Sequence, residues 1–177
     1  MPVPEARIVE TTEGKVVEGE GWFVLNVGEA RWVRYEGAGA YVSFESPEAR
    51  FPEFGVNIHV LEPGEPNSLY HREEGQEDFL VLAGECILLV EGEARRLNAW
   101  DFVHCPAWTE HVFVGAGDGP CAILMIGSRT RKGLHYPRNE KAAAYNASAA
   151  KATDSAEEAY SIWSSAFTPT RMPWPVS

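Results

Sequence analysis

PGEPNSLYHREEGQEDFLVLAG, residues 63–84, lays down a bend, a strand, an acidic turn and a second strand in succession. Pro63-Gly64-Glu65 fixes the bend, because proline presets φ for a turn and glycine accepts the conformations that follow. Residues two apart on a strand point to one face, so His71 and Glu73 project together. The turn through Glu74, Gly75 and Gln76 reverses the chain, and Glu77 on the next strand faces that pair. A later stretch, WDFVHCPAWTEH at 100–111, ends on His111. Imidazoles and carboxylates converging from rigid strands suit a divalent metal better than ligands on a mobile loop.

The two stretches resemble the paired motifs of the cupin superfamily. There the first motif runs Gly, a His-x-His pair, three or four residues, Glu, six residues, Gly; here six residues separate Glu77 from Gly84. The second runs Asp, four residues, Pro, x, Gly, two residues, His; Asp101, Pro106 and His111 fall on it, and Trp108 takes the Gly position. The resemblance covers roughly residues 55 to 127. It implies an all-β, double-stranded β-helix (jelly-roll) barrel, a metal in its interior, a small-molecule substrate or ligand, and pairing of barrels into a homodimer.

The chain departs from the family in two places. With three residues before Glu77 the ligand pair is His71 and Glu73; with four it is Tyr70 and Arg72, which keeps the spacing from Gly64 better. Neighbouring residues alternate faces, so the two registers are exclusive. The first is favoured, since the second would put a cation where a cation binds. The expected metal ligands are therefore His71, Glu73, Glu77 and His111, with Glu73 also the candidate catalytic base and Glu74 or Gln76 as substitute ligands. Trp108 in place of Gly is expected to narrow the approach to His111 or to alter its turn. His59 and His104 are read as hydrogen-bonded core histidines that can also line the cavity. Tyr70, Trp100, Trp108 and Phe113 are candidates for an apolar pocket, with Phe113 more readily a core residue.

Outward from the motifs, residues 21–136 read as short β-rich runs separated by turns, the cupin barrel domain. Strands are expected over 22–27, 30–35, 40–46, 56–61, 69–73, 77–83, 86–90, 93–97, 101–105, 111–114 and 122–126. Gly84-Glu85 and Glu91-Gly92 read as tight hairpins. Residues 1–20 form an N-terminal extension. Residues 137–177 form a short helical and Pro-rich C-terminal tail, with a helix over 155–166 opened by a Ser155/Glu158 capping box. Its stripe of Tyr160, Trp163 and Phe167 is read as packing against the barrel or a second subunit, not as a ligand box. The segment 168–177 carries three prolines and suits neither regular helix nor central strand.

Composition narrows the function. A formal charge of -11 repels phosphate backbones and anionic membrane surfaces, so neither nucleic acid nor membrane is expected as a partner. The acidic start and the absence of a long apolar run point to a cytoplasmic protein. Cys86, Cys105 and Cys121 lack metal-type spacing and are read as buried thiols, Cys105 less firmly because it lies beside the site. Two imidazoles with one or two carboxylates suit Mn, Fe, Ni, Co or Zn. The expected function is a metal-dependent dioxygenase, decarboxylase or isomerase acting on a small molecule in the barrel. The alternative is a non-catalytic ligand-binding or sensor protein with a structural metal or none. Sugar-phosphate isomerisation ranks below both, because Arg72, Arg95 and Arg96 do not converge. Trp22, Trp32, Tyr35, Tyr41, Trp163 and Trp174 flank the motifs and are expected to cover a sheet edge or a partner's surface in the homodimer.

Overall fold

The alternating runs fold into antiparallel strands, seen in a computed structural model that describes residues 1–46, 49–163 and 167–174. The strands are β1 (Arg7–Thr11), β2 (Gly14–Glu18), β3 (Trp32–Tyr35), β4 (Ala40–Ser43), β5 (Phe54–Leu61), β6 (Arg72–Glu73), β7 (Glu77–Ala83), β8 (Glu85–Val90), β9 (Glu93–Asn98), β10 (Phe102–Cys105), β11 (His111–Ala116), β12 (Cys121–Ser128), β13 (Leu134–His135) and β14 (Phe167–Thr170). Two short helices, α1 (Glu140–Ala143) and α2 (Ala156–Tyr160), lie in the tail. A seven-stranded sheet runs β10-β7-β12-β5-β4-β3-β14, and a three-stranded sheet runs β11-β8-β9. Their facing sides hold Leu61, Phe79, Val81, Leu88, Phe113 and Ile123 in one apolar cluster. This is the expected all-β barrel.

Turn chemistry places the strands. Gly84 joins β7 to β8 at φ +71°, and a Cβ there would stand 2.4 Å from the Pro120 carbonyl oxygen, so glycine is required on both counts. Glu91 and Gly92 both take positive φ between β8 and β9, as a two-residue hairpin demands. Phe79 and Val81 of β7 face the barrel interior, whereas Leu82 and Ala83 pack on the outer face with Trp32, Val42 and Val60. Both faces of β7 are covered, which explains its unbroken apolar run.

Several expectations are corrected. Residues 22–27 are not a strand: Trp22 makes an isolated bridge to Glu5, Asn26 caps a 3-10 turn, and Leu25 and Val27 cover the outer face of the large sheet. The extension 1–20 is structured as the β1–β2 hairpin. The expected helix is real only as α2, with the Ser155 hydroxyl accepting from the Glu158 N–H; residues 164–166 of that range lie outside the described residues. From the proline-rich end, β14 pairs with β3 at the edge of the large sheet, where Pro169 is tolerated; residues 175–177 lie outside the described residues. The three cysteines are buried and free. Among the described residues no helix is long and apolar enough to cross a membrane.

Candidate metal centre

Three elements bring the site together. Residues 67–71 pair with β11 through Asn67, whose N–H donates to the Phe113 carbonyl, and through reciprocal His71–His111 backbone bonds of 3.1 and 2.8 Å. That bridge sets the two imidazoles side by side, ring centroids 4.9 Å apart. Glu77, first residue of β7, approaches from the other sheet, with Oε2 3.4 Å from His111 Nε2. One donor atom each from His71, Glu77 and His111 lie within 4.8 Å of one another.

The hydrogen bonds behind the imidazoles aim them. His71 Nδ1–H donates to the Leu69 carbonyl at 2.7 Å, and His111 Nδ1–H donates to the Thr109 carbonyl at 3.0 Å. Each bond leaves Nε2 with a free lone pair directed at the site, the tautomer a metal needs. Burial keeps both rings neutral: it lowers His71, and it brings His111 to about 3 with His71 as a second cause. Burial, with the charge of Glu73 added, pushes the Glu77 carboxyl up to about 8. Two neutral nitrogens and a carboxylate that is costly to ionise without a cation fit a divalent transition metal.

Glu73 occupies the edge of this group. Its Oε1 stands 3.7 Å from His71 Nε2, but it is not one of the three residues whose donor atoms converge. The substitutes point elsewhere: Glu74 pairs with Arg131 and accepts from the Gly133 N–H, and Gln76 donates to Asp78. The other register is turned away. Tyr70 is buried behind the small sheet with Leu89 and Val112, and Arg72 lies near Glu110 and over the Trp108 ring.

The metal group opens into a cavity of about 390 Å³. The expected pocket aromatics do not line it. Phe113 is core, Tyr70 is buried elsewhere, and Trp100 and Trp108 are exposed. Trp108 does not narrow the approach to His111; it keeps the left-handed φ of the glycine it replaces (+69°), and its indole lies beside Gly133. His104 is also outside, paired with Asp78 at the surface. His59 does line the cavity, against the Tyr41 ring and with burial lowering it to about 4; among the described residues no hydrogen bond holds its ring. Arg72, Arg95 and Arg96 contribute nothing to the wall.

The residues that sequence reasoning missed are Tyr35, Tyr41, Tyr136, Tyr160 and Trp163. They continue from His71 to His59 as a chain of rings, with successive centroids 5.9, 5.7, 5.2, 6.3, 6.2 and 5.4 Å apart in the order His71, Tyr136, Tyr160, Trp163, Tyr35, Tyr41, His59. Tyr160 and Trp163 belong to the stripe read as mere packing. Tyr35, Tyr41 and Trp163 therefore serve this chain's own cavity, while Trp32 and Trp174 pack on its own sheet. The pairing of β4 with β5, which sets Tyr41 directly opposite His59, is a register that the sequence does not display.

No curated protein matches the chain. Among solved structures, a predicted oxalate decarboxylase from Thermotoga maritima is 18% identical, with a TM-score of 0.54, over 60% of this chain and 98% of that one. A cupin 2 domain-containing protein from Halorhodospira halophila is 19% identical, with a TM-score of 0.52, over 68% of this chain and 92% of that one. At these identities the likeness is one of fold. A third protein, from Acidithiobacillus ferrooxidans, is 25% identical with a TM-score of 0.48; the match covers 56% of this chain and 64% of that one, less than two thirds of its length. Residues 57–127 match the family model described as a cupin domain, and they contain the barrel strands β7 to β11 with the His71, Glu77 and His111 group. The match marks residues 57–127 as a cupin domain.

Proposed function

We propose that this protein is a metal-dependent enzyme acting on a small molecule in the barrel cavity, with His71, Glu77 and His111 as the protein ligands and Glu73 as the base. The observation that carries this reading is the matched pair of Nδ1–H bonds to backbone carbonyls, which commits both buried Nε2 atoms to one point beside Glu77. A divalent ion held there supplies Lewis acidity, or redox chemistry if it is iron or manganese. Glu73 is beside the ligands but not among the converging donors, and its side chain is 35% exposed, so its carboxylate is open to a proton from substrate. Tyr136, Tyr160 and Trp163 line the cavity wall beside the bound molecule. Reactions that begin with proton removal, of the lyase and isomerase kind, use this arrangement most directly.

The test is elemental analysis of the purified protein beside two variants. His111→Ala is expected to lose the metal while keeping its far-UV spectrum, and Glu73→Gln to keep it. Full metal content in folded His111→Ala would falsify the ligand assignment. Loss of metal from Glu73→Gln would make Glu73 a ligand and not the base. A metal-free wild-type protein indifferent to chelator would favour the non-catalytic binder.

A further inference from the structure

Strand register lays out the floor of the cavity. β12 runs between β7 and β5, pairing Gly127 with Glu77 and Gly55, Met125 with Phe79 and Asn57, and Ile123 with Val81 and His59. Side chains two apart on a strand share a face, so Asn57 and His59 stand on the face that carries Glu77. They are two strands away from it, roughly 10 Å across the sheet. Gly127 leaves the way between them open, because a Cβ there would meet nothing nearer than the Glu77 side chain at 3.8 Å.

The far wall holds hydrogen-bonding groups that lack partners. Asn57 Oδ1 is buried without a hydrogen bond among the described residues, and the His59 ring, stacked on Tyr41, has none either. Asn67, also in the wall, donates from Nδ2 to the Met125 thioether at 3.6 Å, a weak acceptor. Such groups weaken a fold until a bound molecule completes their bonds.

The same wall offers no free charge. Arg129 is the sole Lys or Arg among the described lining residues, and its guanidinium is engaged by Glu45 and by the Phe51 carbonyl at 2.9 Å. Burial brings His59 to about 4, so its ring is neutral at pH 7. A carboxylate only accepts hydrogen bonds and would leave the amide oxygen unpaired; an ammonium only donates and would leave the amide N–H groups unpaired. A hydroxyl does both, and so pairs with an amide and with a neutral imidazole alike.

We propose that Asn57 and His59 form the recognition end of the cavity and bind neighbouring hydroxyls of a small uncharged polyol or sugar, whose other end reaches His71, Glu77 and His111. The position of that other end rests on the metal reading above; the Asn57 and His59 end does not.

The probes are erythritol, xylitol and sorbitol, set against 1,6-hexanediol, a carbon chain as long as sorbitol's without the inner hydroxyls. Each is titrated by ligand-observed NMR into the full-length protein, zinc-loaded and chelator-treated, with zinc content measured separately. At least one polyol is expected to bind about tenfold more tightly than the diol in both forms. Asn57→Leu and His59→Phe should each weaken that polyol about tenfold. Each also exchanges an unpaired polar group for an apolar one of similar shape, so the ligand-free variants should melt at the wild-type Tm or above it. Equal affinity for polyols and diol would mean that water satisfies the pair, and would overturn the proposal. Unchanged polyol affinity in the variants, or a fall in Tm in both, would overturn it as well, the latter by showing that the pair is bonded within the fold. A lost preference with stoichiometric zinc rejects the recognition end and leaves the metal standing. A preference that persists in a protein unable to hold zinc supports the recognition end and removes the metal.

Discussion

Tyr70 and His71 are adjacent in the chain and opposite in destination. The Tyr70 ring packs behind the small sheet, its hydroxyl accepting from the Gly92 N–H at 3.1 Å, while His71 turns into the barrel. Charge logic alone separates these registers, because Arg72 would follow Tyr70 inward. Trp108 was not legible in the same way: family spacing marks a glycine position, and a residue type does not reveal that the backbone keeps φ at +69° under an indole. That conformation costs a non-glycine residue on the order of 1 kcal/mol. Trp108→Gly is therefore expected to be more stable than Trp108→Ala by about 1 kcal/mol in urea melts, since both lose the contact with Arg72 but only alanine keeps the strain. Equal stability would mean that the left-handed backbone is unstrained. His59 carries a second prediction at this scale. Its folded pKa is depressed from 6.5 to about 4 by burial, so the stability tied to the neutral ring is complete above pH 6.5 and drains away as pH falls through about 4. The gap corresponds to about 3 kcal/mol. His59→Gln lacks this group, and between pH 7 and 4 the wild type should lose up to about 3 kcal/mol more than the variant. Parallel pH profiles would show that His59 protonates in the folded state without penalty.

At the scale of elements, alternation reported burial more faithfully than pairing. The run 22–27 is apolar because Leu25 and Val27 roof the large sheet, yet its backbone joins no ladder. The N-terminal extension, for which no strand was expected, contains β1 and β2, which are polar in part but pair over five registered residues. Their turn shows why the hairpin sits where it does. Gly14 has φ +135°, and a Cβ on it would lie 2.6 Å from the Ala30 carbonyl oxygen, beside the Arg31 N–H that donates to the Lys15 carbonyl. Gly14→Ala must break that approach as well as strain the backbone. A loss of about 2 kcal/mol or more is expected in thermal or urea denaturation, with faster amide exchange in β1 and β2. A variant as stable as the wild type would show that the hairpin is free to shift. The tail poses the same lesson for the site. Tyr160 reaches Leu69, whose N–H it accepts at 3.4 Å across ninety-one positions, and no local spacing encodes so distant a partner. Helical periodicity exposed the stripe of Tyr160 and Trp163, but not the cavity on which it would land.

For the molecule as a whole, the metal group is a joint between sheets. His71 lies just before β6 and bridges to β11 of the small sheet, His111 opens β11, and Glu77 opens β7 of the large one. Motif spacing made Glu77 and His111 legible because both begin strands whose registers the barrel fixes. The sheets also meet at this end through apolar packing of Phe79 against His111 and Phe113, with ring centroids 5.2 and 4.7 Å apart. A ligand bound only by the folded state stabilises it by RT ln(1 + [L]/Kd), about 2.7 kcal/mol at a hundredfold excess over Kd. Zinc or manganese added to chelator-treated protein should therefore raise Tm progressively with concentration, and chelator should reverse the rise. Glu77→Gln separates the joint from the packing. The amide is neutral at every pH, so it removes the cost of burying a carboxyl that is pushed up to about 8 and should leave the metal-free protein as stable as the wild type or slightly more so. It also removes the charged ligand, so the metal-dependent rise should shrink to near zero. A variant that keeps the full rise would place the cation elsewhere, and a variant that unfolds without metal would mean that the Glu77 carboxylate itself holds the two sheets together.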